Sequence, residues 1–178
     1  VARSFRRAAA VEAGARAGLP HRDPAGHVRV TVVLPLREAP AFLGLAFDHR
    51  GFTASLVAAR AGTTGETYAF DRRGLLLSSS RFPAHLRAAG LIGPDDDESA
   101  LRVEIRDPGG DLSSGFRAAT RRREQPLTMA AADAVEGRAG VLLRPYRDYR
   151  GVPVVGAWRW LPECELAVAT EMDAAQAF

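Results

Sequence analysis

Gly65-Glu66-Thr67-Tyr68-Ala69-Phe70-Asp71-Arg72-Arg73-Gly74-Leu75-Leu76-Leu77-Ser78-Ser79-Ser80 is the stretch that decides the fold. Its first half is rich in aromatic and β-branched residues, Asp71 to Gly74 supplies a tight glycine turn, and an apolar run returns after it. The spacing predicts two antiparallel strands, 66–71 and 75–80, with Glu66, Tyr68 and Phe70 on one face. The same grammar recurs near the C-terminus. Strands over 141–149, 152–160 and 164–172, joined by turns at Arg150-Gly151 and Leu161-Pro162-Glu163, form a meander. Between the two blocks, residues 81–140 carry the acidic run Asp95-Asp96-Asp97-Glu98, a Pro-Gly-Gly turn at 108–110 and two helical pieces, near 83–90 and 126–136. Two strands, a long helical crossover and three strands predict an α+β domain, a five-stranded antiparallel sheet with helices on one side.

Upstream, Ser4 caps a loose helical stripe over 4–17, and Pro20 to Gly26 breaks it. Val28 to Leu34 and Ala41 to Phe47 then read as an antiparallel hairpin, and 52–61 as a short amphipathic helix ended by Gly62. The alternation over 154–160 places Trp158 and Trp160 on one face with Val154 and Gly156, which predicts that both indoles are buried at least in part.

With 178 residues, 47% of them apolar, the chain is long enough for one globular domain or slightly more. It begins at Val1 and ends on a helix-like 171–178 without a stop signal, so it reads as a segment of something longer. The net charge of +3 comes from arginine alone, because the sequence contains no lysine. That excludes a P-loop, a protein-kinase site and a pyridoxal Schiff base within this segment. Arginine beside so much alanine and glycine reads as a GC-rich coding bias rather than as a nucleic-acid signature. His21, His27, His49 and His85 show no metal-ligand spacing and read as surface residues. Cys164 reads as a strand filler beside Leu166, and Asp95 to Glu98 as a solvated turn without the glycine of a calcium loop. No cofactor is expected.

The first hairpin, with its preceding helix and following Leu-Leu-Leu-Ser, resembles the opening of a Cache domain, the PAS-like sensor module of bacterial membrane receptors. The pattern Tyr146-x-Asp148-Tyr149-x-Gly151-Val152-Pro153-Val154, then Leu161-Pro162 and Leu166 to Asp173, resembles the module's last three strands. Ser80-Arg81-Phe82, Arg106-Asp107-Pro108-Gly109 and Gln125-Pro126-Leu127-Thr128 are similar to stretches of a subgroup of such sensors. The resemblance implies a sensor module over 52–178, with 1–51 a helix and hairpin left from a distal module. It implies an extracytoplasmic, non-catalytic domain flanked by membrane helices and homodimeric in its receptor. A sensor histidine kinase is the foremost output; a chemoreceptor, Ser/Thr kinase or cyclase is the alternative.

In a PAS-like module the ligand lies between the sheet and the crossover. The residues expected to line that pocket are Arg81, Tyr68, Ser78, Ser80, Tyr146 and Trp158, with Arg81 holding the carboxylate of a small organic anion. The other reading of Arg81 is structural, a pair with an internal carboxylate such as Asp107. Two further classes compete. Arg121-Arg122-Arg123 with Arg117 could form a basic phosphate- or nucleic-acid-binding module, although Glu124 follows directly and aromatics are few. A hydrolase using Glu104 and Asp107 is the weaker one, because isolated loop carboxylates are usually solvated.

Overall fold

The computed structural model describes residues 16–36, 40–59 and 61–178. Two antiparallel sheets form. The first contains β1 (Arg16–Ala17), β2 (His21–Arg22), β3 (Val28–Pro35) and β4 (Phe42–Asp48). It is the expected hairpin, extended by two short strands that both pair with β3. The helix expected over 4–17 is corrected at its end, where Arg16 and Ala17 pair with Val33 and Val32 because the open edge of β3 offers them backbone partners. Residues 4–15 lie outside the described residues.

After α1 (Arg50–Val57), the second sheet contains β5 (Glu66–Phe70), β6 (Gly140–Arg147), β7 (Pro153–Leu161) and β8 (Leu166–Asp173), in the order β5-β8-β7-β6. The meander thus closes on β5, and the crossover carries the chain over the sheet to its far edge. This sheet has four strands where the sequence predicts five. Residues 75–80 approach β5 but make only single bridges, Phe70 to Leu76 and Leu75 to Glu104. Serine side chains divert the ladder: the Ala69 N–H donates to the Ser78 hydroxyl at 3.1 Å and the Ser80 N–H to the Ser99 hydroxyl at 2.6 Å. Cys164 is also displaced from its expected strand, standing exposed in the turn before β8.

Matching of large and small side chains holds the inner face of the sheet. Ala169 on β8 lies between Tyr68 on β5 and Trp158 on β7, and Ala167 lies between Phe70 and Trp160. All six are buried, as the alternation predicts for the two indoles. A methyl group on the middle strand leaves room for a ring from either side. Leu86 of α2 (Pro83–Ala88), Val103, Ile105, and Ala130, Ala131 and Ala134 of α3 (Met129–Val135) cover this face. The Thr128 hydroxyl starts α3 by accepting the Ala131 N–H. Helices are not confined to one side: Phe52 and Leu56 of α1 pack on the opposite face with Ala69, Leu77 and Leu166. Among the described residues no helix is long and apolar enough to cross a membrane.

Candidate functional site

At the end of the inner face the aromatic stripe gives way to charge. The register sets Glu66 on β5 directly opposite Glu171 on β8, and both are buried. Each carboxyl is surrounded by donors. Glu66 accepts from the Tyr149 hydroxyl at 2.6 Å, the Ser80 hydroxyl at 3.0 Å and the Arg81 backbone N–H at 2.5 Å. Glu171 accepts from the Tyr68 and Tyr146 hydroxyls, each at 2.8 Å. Tyr146 stands on β6, so its phenol must cross β7 to arrive. Gly156 makes that possible, since a Cβ there would lie 2.6 Å from the Tyr146 hydroxyl.

The β6–β7 turn supplies the rest. Asp148 accepts the N–H groups of Arg150 and Val152 at 2.8 and 2.9 Å. Gly151 takes φ 80°, and a Cβ on it would lie 1.9 Å from the Gly110 carbonyl oxygen, so no larger residue fits the turn. The Arg150 guanidinium reaches Asp148 and Asp173, each at 2.6 Å, and lies over the Phe82 ring at 3.7 Å. Two carboxyl groups thus meet one guanidinium, and two more, Glu66 and Glu171, are buried opposite each other on the sheet.

This excess of acid in a dry interior moves the titrations. Burial first, and then the charge of Asp148, push Glu171 up to about 8. Burial pushes Asp148 up to about 6 despite the guanidinium beside it, while its carboxylate partner keeps Arg150 charged. Burial and the neighbouring glutamates raise the Tyr68 and Tyr149 phenols well above their ordinary range, so both remain donors. A carboxyl whose pKa is raised by folding binds its proton more tightly in the folded state. Its contribution is therefore complete below pH 4.5, the unfolded value, and is lost as pH rises through about 8. Folding stability, followed by urea unfolding from pH 4 to 9, is expected to decline across this window, and Glu171→Gln to remove the part above pH 6. An equal decline in the variant would assign the effect to other groups.

Of the residues expected to bind, the structure brings together Tyr68, Ser80 and Tyr146, joined through Glu66 and Glu171. Ser78 is buried and turned to the Ala69 backbone. The Trp158 indole N–H donates to Asp133 of the α3 helix at 2.8 Å. Arg81 does not pair with Asp107, which is taken by Arg147 at 2.8 Å. Its guanidinium donates instead to the carbonyls of Gly65 and Gly62, fastening the start of the crossover to the loop before β5. Sequence reasoning missed Glu171, Tyr149, Asp148 and Arg150 as site residues. The signal for Glu171 was present in the alternation of Ala167, Ala169 and Glu171, which puts an acid on an inward stripe. His49 is another correction. It is buried, with Nε2 2.5 Å from Glu98 and 3.1 Å from Ser79, because it closes the hairpin against the crossover.

The cluster is tied to the end of the chain. Asp173 is the last residue of β8, and its N–H donates to the Thr64 hydroxyl at 3.2 Å. In α4 (Ala174–Ala177), Gln176 accepts from the Thr64 N–H at 2.8 Å and donates to Thr63 at 2.8 Å. Chemically the arrangement is a network of polar groups that satisfy one another. The Ser80 hydroxyl is buried and donates to Glu66, and the carboxyl groups outnumber the one guanidinium.

No protein-family model matches the chain, and no curated protein is similar to it. Solved structures do overlap it. The extracellular domain of mmHK1S-Z3, described as a histidine kinase, is 17% identical with a TM-score of 0.48, over 91% of this chain and 51% of its own. The corresponding domain of mmHK1S-Z2 is 15% identical with a TM-score of 0.45, over 89% and 50%. The ligand-binding domain of the Pseudomonas fluorescens chemoreceptor CtaA, solved with L-isoleucine, is 12% identical with a TM-score of 0.46, over 98% and 58%. The chain thus spans between half and three fifths of the solved chains that it matches.

Proposed function

We propose that this chain is the extracytoplasmic ligand-sensing domain of a membrane-bound bacterial signalling receptor, with a sensor histidine kinase as the foremost output and a chemoreceptor, Ser/Thr kinase or cyclase as alternatives. Residues 52–178 form the sensor module, and 1–51 belong to the remainder of a distal one. In this reading the domain is non-catalytic, sits between two membrane helices and works as a homodimer. The observation that carries it is the buried acidic cluster on the last strand, hydrogen-bonded to the residues where the chain leaves the sheet. A ligand that changed the charge or spacing at Glu171 and Asp173 would act directly on that exit.

The same cluster bears on the ligand. A small organic anion held by Arg81 is disfavoured, because that guanidinium is already engaged by two carbonyls and the Tyr68 and Tyr146 hydroxyls by Glu171. We infer that the ligand carries a positive group, such as a primary amine, which would relieve the repulsion among Glu66, Asp148 and Glu171. Thermal-shift screening of small amines, amino acids and organic acids at constant ionic strength tests this. Amine-bearing compounds are expected to stabilise the native chain, and Glu171→Gln to lose the shift while remaining folded. Stabilisation by organic acids alone would reverse the assignment of charge, and the absence of any stabilising compound would sink the sensing role of this cluster.

A further inference from the structure

We propose that the surface cavity lined by Arg102, Arg121, Arg122 and Arg123 is a binding site for a phosphate-type oxyanion. It lies on the crossover, outside the buried cluster, and the inference does not depend on the sensor reading. The cavity has a volume of about 310 Å³, and Glu104 is the fifth residue of its wall. That volume is at the small end of the range for ligand sites, roughly 300 to 1,000 Å³.

The charges in the wall are unevenly matched. Glu104 is paired with Arg106, and Arg102 with Asp96. The remaining three arginines have little to oppose them. Arg121 is exposed and meets no acceptor among the described residues. Arg123 is 69% exposed, with only Glu124 nearby at 3.9 Å.

Arg122 differs from both. It is half-buried, and its guanidinium donates to the carbonyls of Glu104, at 2.8 and 3.2 Å, and of Tyr149 at 2.7 Å, and to the Gln125 amide oxygen at 3.3 Å. All of these acceptors are neutral. Burial pulls its pKa down to about 10, which still leaves it charged at neutral pH. The carboxylates of Asp148 and Glu104 also support its charge, and it forms part of the cavity wall beside the two exposed arginines. Two flexible guanidinium groups at the rim can then close on an oxyanion in forked, charge-assisted pairs. Phosphate has the oxygens to meet three such groups at once. A lipid phosphodiester offers the same chemistry, so the two sources must be distinguished by experiment.

Inorganic phosphate titrated calorimetrically into the native chain, in chloride at constant ionic strength, is the first arm. Saturable binding is expected, weakened by about tenfold or more in Arg121→Ala and in Arg123→Ala, each of which removes one charge-assisted pair. Both side chains are exposed, so circular dichroism should show unchanged folding. Arg117→Ala, which removes an equal charge outside the cavity wall, should bind phosphate as the native chain does. The second arm is sedimentation with vesicles of phosphatidylglycerol, against phosphatidylcholine. Saturable phosphate binding with no vesicle binding supports a free oxyanion as occupant. Vesicle binding that requires Arg121 and Arg123 and is displaced by phosphate supports a headgroup. If neither probe depends on Arg121 and Arg123, or if Arg117→Ala weakens binding equally, the proposal is overturned.

Discussion

Replacing Arg150 with methionine is expected to destabilise the domain by about 3 to 5 kcal/mol, the cost typical of removing one partner from a buried ion pair. The guanidinium is 3% exposed and lies between Asp148 and Asp173. Methionine fills much of the volume but leaves two carboxyl groups facing each other in the interior, near a third at Glu171. It also removes the cation from the Phe82 ring, the residue that leads into α2. Guanidinium chloride unfolding at pH 7 measures the loss. Adding Asp148→Asn and Asp173→Asn to the variant should restore part of it, because the penalty arises from unpaired charge rather than from volume. If the single variant unfolds at the wild-type denaturant concentration, the guanidinium contributes nothing to the fold.

Trp158→Ala is expected to cost a similar amount, about 3 to 5 kcal/mol, as a large-to-small change in a packed interior. The indole is 7% exposed, meets the edge of Tyr146 with ring centres 6.0 Å apart, and joins β7 to α3 through Asp133. Its other side is closed by β6, where a Cβ on Gly140 would lie 2.5 Å from the ring. The cavity left by alanine is therefore bounded by backbone on one side and by a short helix on the other, and neither can collapse freely into it. Trp158→Phe, which keeps most of the area but not the hydrogen bond, should cost clearly less. The same urea curves for both variants would contradict the packing argument.

These two residues also mark what was legible in the sequence. Alternation along 154–160 placed both tryptophans inward, and the short turns at Arg150-Gly151 and Leu161-Pro162-Glu163 placed the three strands of the meander. The hairpin 28–47 and the helices of the crossover were legible from the same local patterns. The strand over 75–80 was misread because periodicity registers apolar runs and not the capacity of serine hydroxyls, here those of Ser78 and Ser99, to take up backbone hydrogen bonds. The site was harder to see. Glu66 and Glu171 stand 105 positions apart, and only the pairing of β5 with β8 makes them neighbours. Arg150 and Arg81 are indistinguishable as residue types in turns, yet one guanidinium is enclosed by carboxylates and the other is engaged by carbonyls. His49 looked like a surface residue because its partners, Ser79 and Glu98, come from later parts of the chain.

The phenol of Tyr146 passing over Gly156 turns the sheet into something other than a row of strands that communicate only with their neighbours. It acts as a strut from the edge strand β6 to Glu171, crossing β7 at Gly156 with its ring beside Trp158. The Glu171 carboxyl is thus tied directly to the outer strand. That strand also carries Val141 and Leu143, 73% and 68% exposed, an apolar rim separated from Tyr146 by a shift of register between Leu142 and Tyr146. The glycine and the tyrosine form a single device. A side chain at 156 would sever the strut as surely as the loss of the phenol, and a homologue that changes one is expected to change the other.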